Sequence, residues 1–124
     1  MVLFMCSSMA SSLPSRLLLV EDNPLVAQNM VRQLNRHWPK MIVDIASTLQ
    51  DAHRFVRENR YTHWLVDVNM PDGSGTELLT DSPVPAVVLG MSGTFQDVTT
   101  MARFTQFFQK PFSVLDLGKY FENR

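Results

Sequence analysis

Three acidic residues lie directly after or near the end of segments that the sequence predicts to be buried strands. Glu21 and Asp22 come directly after the apolar run 17–20, and Asp67 is embedded in the apolar segment WLVDV. An ionised carboxylate between two valines is costly unless it is paired, and an aspartate can act as the nucleophile toward a phosphoryl group. Because several carboxylates at one place repel one another, a hard divalent cation such as Mg²⁺, which prefers oxygen ligands, would suit them.

A hydroxyl and a lysine complete the set of candidate chemical groups. Ser92 follows a fourth predicted strand and Lys110 follows a fifth. Phosphoryl transfer uses a metal ion to neutralise developing charge, with a lysine and a hydroxyl on other phosphoryl oxygens. Taken singly, each residue has an ordinary explanation as a helix cap, a surface lysine or a loop serine. Their joint placement, one at each strand end, favours phosphoryl chemistry.

The segments that must carry these residues alternate between short apolar runs and helical patterns. Strands are predicted over 17–20, 41–46, 64–68, 86–91 and 105–109. Helices are predicted over 24–36, after a cap at Ser47 or Thr48, around 76–80, over 96–103 and from Ser113 onward. Five strands alternating with five helices indicate an α/β fold, a doubly wound five-stranded parallel sheet with helices on both faces. Ligands of such sheets bind at the carboxyl ends of the strands, where the candidate residues fall.

The composition is typical of one globular domain. The chain has 124 residues, of which 45% are hydrophobic and 19% charged, and its formal net charge is −1. Nucleic-acid or membrane binding is not expected, because the 11 lysines and arginines are scattered and form no basic block. The single cysteine, Cys6, excludes an internal disulfide and suits a reducing compartment.

The first fifteen residues predict a flexible tail, and residues 16–124 the folded domain. The apolar run VLFMC is short and has no positive charge before it, unlike a signal peptide. The segment after it is rich in serine and contains Pro14, which is typical of an unstructured terminus. Because no apolar stretch has the length of a membrane helix, we expect a cytoplasmic protein.

The order and spacing of the motifs resemble the receiver domain of bacterial two-component response regulators. The segments that carry the resemblance are LLLVEDN, VDVNMPDGSG, MSG and QKPF, in this order between residues 16 and 124. The resemblance implies the flavodoxin-like strand order 2-1-3-4-5, similar to the chemotaxis response regulator fold. It also implies a role for each residue that matches a motif of the family.

Asp67 matches the phosphoacceptor of the family. Glu21, Asp22, Asp67 and the backbone carbonyl of Asn69 match the ligands of Mg²⁺ or Mn²⁺. Lys110 matches the lysine that contacts the phosphoryl group.

Five matches concern switching, the lifetime of the phosphoryl group and the peptide bond that follows the lysine. Ser92 matches the switch hydroxyl, and Phe107 matches the aromatic switch position; strand alternation predicts that Phe107 and Phe108 point to opposite faces. Asn69 and Thr94 fall at positions that tune dephosphorylation in the family. Pro111 follows the lysine in a bond that is usually cis in this family.

The resemblance implies a phosphorylation-dependent signalling switch that catalyses only its own phosphorylation and dephosphorylation. Its expected phosphodonor is a sensor histidine kinase or a histidine phosphotransfer protein. Its expected target is a downstream protein or a covalently attached output domain, and a homodimer is compatible with the family.

The sequence departs from the family in the second half of the chain. The intervals from Asp67 to Ser92 and from Ser92 to Lys110 are shorter than usual, which predicts shortened third and fourth helices. Phe104-Thr105 replaces the small-residue turn before the fifth strand, and Gly90-Met91 is an unusual pair before the switch position. These departures concern the face that most receivers use for output.

The residues also bear on three alternatives to a phosphoacceptor. A receiver-like docking or dimerisation module that works without phosphate stays open, because the predicted third and fourth helices are short. A phosphatase with an aspartate nucleophile usually has a second acid two residues later, where this chain has Asn69. A calcium loop starting at Asp67 fails, because its sixth position is Asp72 and its twelfth is Leu78.

Overall fold

The computed structural model describes residues 15–81 and 83–121, and the predicted tail lies outside them except for Ser15. The strands in chain order are β1 (Arg16–Val20), β2 (Ile42–Ala46), β3 (His63–Asp67), β4 (Asn69–Met70), β5 (Gly73–Ser74), β6 (Val87–Ser92) and β7 (Gln106–Gln109). Five of them form a parallel sheet in the order β2-β1-β3-β6-β7, and β4 and β5 pair as a separate antiparallel hairpin. The predicted α/β fold and the order 2-1-3-4-5 are therefore confirmed.

The central strands read as continuous apolar runs because both of their faces are covered. Leu18 and Val20 belong to one hydrophobic cluster, together with Ala52 and Val56. Leu17 and Leu19 belong to a second cluster with Leu34. Successive residues of a strand point to opposite faces, so β1 contributes to both layers of the core.

The helical segments are α1 (Pro24–His37), α2 (Leu49–Glu58), α3 (Val98–Met101) and α4 (Gly118–Phe121), with 3₁₀ helices η1 (Gly75–Thr80) and η2 (Val114–Leu117). The predicted caps of the two long helices are in place. The side chain of Asn23 accepts hydrogen bonds from the amides of Leu25 and Val26, and that of Thr48 accepts one from Asp51. Such caps satisfy amides that have no partner within the helix.

The third and fourth predicted helices are short, as expected, but they differ from the prediction in type and length. The third is the 3₁₀ helix η1, which begins with a capping box between Ser74 and Glu77. The fourth is one turn, Val98–Met101, instead of 96–103. It begins at Val98 because the side chain of Asp97 caps it, accepting a hydrogen bond from the amide of Thr100.

Two strand ends differ from the prediction in a way that matters for the site. β3 ends at Asp67 instead of Val68, and β6 extends to Ser92 instead of ending at Met91. Both polar residues are thus the last residues of adjacent, paired strands. Within the described residues, no helix is long and apolar enough to cross a membrane.

Candidate functional site

The carboxyl ends of β1, β3, β6 and β7 lie at one edge of the sheet. The residues at or directly after these ends are Glu21, Asp22, Asp67, Ser92 and Lys110. Backbone hydrogen bonds fix this edge: the amide of Glu21 donates to the carbonyl of Ala46 (3.0 Å), and that of Lys110 donates to the carbonyl of Ser92 (2.8 Å). The structure therefore brings together the acids, the hydroxyl and the lysine that the sequence singles out.

Lys110 bridges two of the acids. Its Nζ lies 2.6 Å from Glu21 Oε1 and 2.6 Å from Asp67 Oδ2. Glu21 is 2% exposed and Asp67 is 4% exposed, so both carboxylates are almost fully removed from water. An ammonium group between two buried carboxylates compensates part of their desolvation.

Burial and pairing act in opposite directions on the ionisation of this group of residues. Burial raises the pKa of Glu21, and the hydrogen bonds from Lys110 and from the amide of Asn23 offset only part of the rise. Burial alone would lower the pKa of Lys110, but its hydrogen bonds to Asp67 and Glu21 outweigh burial and raise it. Lys110 is therefore a permanent positive charge near neutral pH.

The donor set fits a hard divalent cation. Carboxylate oxygens of Glu21, Asp22 and Asp67 lie within 4.8 Å of one another, with Asp22 exposed and the other two buried. The other oxygens of the buried pair are also held: Asp67 Oδ1 accepts from the amide of Asn69 (2.8 Å), and Glu21 Oε2 from that of Asn23 (3.1 Å). An all-oxygen cluster of this kind suits Mg²⁺ or Mn²⁺.

Asn69 links the acidic residues to the end of β6. Its side-chain amide donates to Ser92 Oγ (2.8 Å) and to Thr94 Oγ1 (2.9 Å). The two positions matched to dephosphorylation tuning, Asn69 and Thr94, therefore contact each other and the predicted switch hydroxyl. Their effect on phosphate lifetime stays a prediction.

Gly75 allows η1 to approach the backbone of Asp67. A Cβ atom at this position would lie 2.2 Å from the carbonyl oxygen of Asp67 and 2.7 Å from Val66 Cγ1. The amide of Gly75 donates to the carbonyl of Val68 (2.8 Å), which fixes the close approach. Glycine is thus required next to the strand end that carries the acid.

The predicted aromatic switch packs against an unusual glycine. A Cβ on Gly90 would lie 2.7 Å from a ring atom of Phe107 and 2.7 Å from one of Phe104. Phe107 and Phe108 contact the two different hydrophobic clusters, so the predicted alternation is confirmed. The Lys110–Pro111 peptide bond is cis.

Two residues near the site were not identified from the sequence. The sequence predicts Gln96 only as the start of a helix, whereas its side-chain Nε2 lies 3.2 Å from Ser92 Oγ and 3.2 Å from Thr94 Oγ1. Asp72 in the β4–β5 turn accepts hydrogen bonds from the amides of Leu49 and Gln50 at the start of α2. The Asp-Gly pair indicates a turn at Asp72, whereas nothing in the local sequence indicates the contacts of Gln96.

The comparison with protein families gives a match over most of the chain. The family described as response regulator receiver domain matches residues 17–122. The chain therefore belongs to the response regulator receiver domain family. No curated protein sequence matches the chain.

Solved structures share the fold. The beryllofluoride-activated NtrC4 receiver domain dimer is 28% identical, with a TM-score of 0.71 over 86% of this chain and 96% of that chain. TrrA from Thermotoga maritima, in complex with Mg²⁺–BeF, is 17% identical, with a TM-score of 0.73 over 86% of this chain and 95% of that chain. A response regulator from Burkholderia pseudomallei, with a phosphorylated aspartic acid, calcium ion and citrate, is 20% identical, with a TM-score of 0.75 over 88% of this chain and 67% of that chain.

Proposed function

We propose that this receiver domain is a phosphorylation-dependent switch that accepts a phosphoryl group on Asp67. The observation that carries the proposal is the bridge from Lys110 to Glu21 and Asp67, both at 2.6 Å, beside the exposed carboxylate of Asp22. A lysine and a cluster of carboxylates at one point are the components that phosphoryl transfer needs. The regulatory role follows from the family, and the residue roles belong to the proposal.

The proposed donor is the phosphohistidine of a sensor histidine kinase or histidine phosphotransfer protein. A carboxylate oxygen of Asp67 forms a bond to phosphorus while the phosphorus–nitrogen bond breaks. The electron pair of the broken bond stays on the imidazole nitrogen, and the product is an aspartyl-phosphate. Lys110 lies close enough to Asp67 to pair with a phosphoryl oxygen without leaving the site.

Glu21, Asp22, Asp67 and the backbone carbonyl of Asn69 would hold Mg²⁺ or Mn²⁺. When bound, the cation would neutralise negative charge on the phosphoryl group during transfer. The proposed switch hydroxyl of Ser92 then moves to donate a hydrogen bond to a phosphoryl oxygen. The ring of Phe107 moves into the space that Ser92 vacates. The modification adds about 1.5 to 2 negative charges and thereby shifts an existing equilibrium between two arrangements.

The output of the switch is a change in the binding of a downstream protein or an attached output domain. A phosphatase is disfavoured, because Asn69 occupies the position of the second acid and its amide is hydrogen-bonded to Ser92. The domain acts only on its own acyl phosphate.

Acetyl phosphate offers a direct test. The protein is incubated with Mg²⁺ and acetyl phosphate, and its intact mass is measured. We expect the mass of one phosphoryl group on the wild-type chain and none on Asp67→Asn. Asp116→Asn is a matched control, because Asp116 is exposed and lies in η2; this variant should be phosphorylated like the wild type.

A second set of donors makes a negative result decisive. Phosphoramidate and a phosphorylated histidine phosphotransfer protein are tested under the same conditions. Absence of the added mass with every donor would reject the phosphoacceptor role and leave the phosphate-independent docking module.

A further inference from the structure

The hydroxyl of Ser92 is surrounded by more hydrogen-bond donors than it can accept from. Its Oγ lies 2.8 Å from Asn69 Nδ2, 3.0 Å from the amide nitrogen of Thr94 and 3.2 Å from Gln96 Nε2. All three groups are donors, whereas a hydroxyl has two lone pairs and one proton. Its accepting capacity is therefore filled in this arrangement.

The proton of the same hydroxyl is also engaged. Ser92 Oγ lies 3.0 Å from the carbonyl oxygen of Thr94 and 3.2 Å from Thr94 Oγ1. Ser92 is completely buried, so water does not replace a partner that is lost. Among the described residues, its hydroxyl makes no hydrogen bond to Asp67.

Gln96, in the segment between β6 and α3, also contacts these hydroxyl groups. Its amide group contacts both hydroxyls, Ser92 Oγ and Thr94 Oγ1, at 3.2 Å each. Asn69 makes the same pair of contacts from the start of β4, at 2.8 and 2.9 Å. Two side-chain amides on different segments thus hold the same two hydroxyls.

This arrangement conflicts with the role proposed for Ser92. To donate to a phosphoryl oxygen on Asp67, the hydroxyl must turn its proton away from the carbonyl of Thr94. The donors that fill its lone pairs favour the present orientation and oppose that turn. Residues that hold the hydroxyl therefore oppose the phosphorylated arrangement.

We infer that Gln96 is a positioning residue that holds Ser92 in the unphosphorylated orientation and sets how strongly Asp67 retains a phosphoryl group or its mimic. This inference rests on the proposed function. Gln96 acts through Ser92 and does not touch the acidic residues. Removing its amide weakens the unphosphorylated arrangement and leaves the acids, Lys110 and Asn69 intact.

The experiment measures affinity for Mg²⁺ with beryllofluoride by fluorine NMR titration. Gln96→Met keeps the length of the side chain but removes the donor, and Gln96→Ala serves as a second variant if the first is poorly folded. We expect binding about two- to tenfold tighter than wild type, the range set by the net contribution of one hydrogen bond. Gln50→Met, an exposed glutamine of α2, is the matched control and should bind like the wild type.

A second readout separates positioning from a merely structural effect. In the free Gln96→Met protein, the amide resonances of Ser92 and Thr94 should move toward their positions in the beryllofluoride-bound wild type. A variant that only loses stability would unfold at a lower temperature without this movement and without tighter binding.

The outcomes distinguish the inference from the proposed function. If the wild type is phosphorylated on Asp67 but both Gln96 variants bind beryllofluoride equally or more weakly than the wild type, only the role of Gln96 is overturned. A wild-type protein that takes up neither a phosphoryl group nor beryllofluoride overturns both.

Discussion

Lys110 compensates only part of the charge at the sheet edge. Three carboxylates and one ammonium group leave a formal charge of −2. Because Glu21 and Asp67 are buried, this excess is poorly screened by water. The lysine therefore lowers the electrostatic cost of gathering the three carboxylates, and the remaining negative charge would favour binding of a divalent cation.

Asp72 illustrates a residue whose charge serves the fold instead of the site. Its carboxylate accepts hydrogen bonds from the amides of Leu49 (2.9 Å) and Gln50 (3.0 Å). The hydrogen bond from Leu49 is the main cause that lowers the pKa of Asp72 below its ordinary value of 3.8. The β4–β5 turn is thus tied to the N-terminus of α2, where a negative charge is favourable.

We predict that Asp72→Asn lowers stability at neutral pH but makes stability less sensitive to acid. A carboxyl group with a lowered pKa in the folded state stabilises the fold above its unfolded pKa, and this contribution is lost as the pH falls through the folded value. Urea unfolding at pH 7 and at pH 3 measures the effect. The advantage of the wild type over Asp72→Asn should be smaller at pH 3 than at pH 7, and an advantage of equal size at both pH values would contradict the prediction.

Aromatic residues fill the space beside β6 and β7 at one side of the sheet. Phe104, where the family has a small-residue turn, is 7% exposed and packs against Phe107 with ring centroids 5.8 Å apart. Gly90 lies beneath both rings and has no room for a Cβ atom. The two departures seen in the sequence, Gly90 and Phe104, thus compensate each other in space.

Gly90→Ala is predicted to destabilise the domain by about 1–3 kcal/mol, the usual cost of overpacking a filled core. Chemical denaturation measures the change. Gly93→Ala is the matched control, because a Cβ there would meet only Lys110 Cδ at 4.0 Å; it should change stability little. The cost of Gly90→Ala should also fall in a Phe104→Leu background, and strictly additive effects would argue against the contact.

The strands and the long helices could be predicted because their residues carry the information locally. β1 and β3 are buried apolar runs, and α1 is framed by the cap Asn23 and by Pro39. The gathering of Asp67 and Lys110 followed from their places at strand ends. These features depend on residue type and on the order of elements.

The short helices and the hydroxyl contacts could not be predicted for a physical reason. α3 has four residues and buries none of them, so it has no apolar periodicity to read. The contacts of Ser92 with Asn69 and Gln96 join side chains across a strand end and a link. Such contacts depend on distances that appear only after folding.

A divalent cation bound at the proposed site should stabilise the whole domain, because a ligand that binds only the folded state shifts unfolding by mass action. We predict that Mg²⁺ at about 100 times its dissociation constant stabilises the wild type by about 2.7 kcal/mol. Thermal unfolding with Mg²⁺ or chelator measures this difference. Asp22→Asn should lose most of it, since Asp22 is the exposed member of the acidic cluster.

Asp116→Asn, distant in sequence from every proposed ligand, should keep the full effect of Mg²⁺. Equal stabilisation of Asp22→Asn and wild type would exclude Asp22 from the ion site. Stabilisation that persists in Asp67→Asn with Asp22→Asn would place the ion elsewhere in the protein.

The bridge made by Lys110 also links distant parts of the chain. It joins residues 89 positions apart on one side and 43 positions apart on the other. The first, third and last strands of the sheet must all be in register before these three side chains meet. A chain synthesised only as far as β6 carries every proposed acid but lacks the lysine. The proposed site is therefore complete only when the last strand of the sheet has been added.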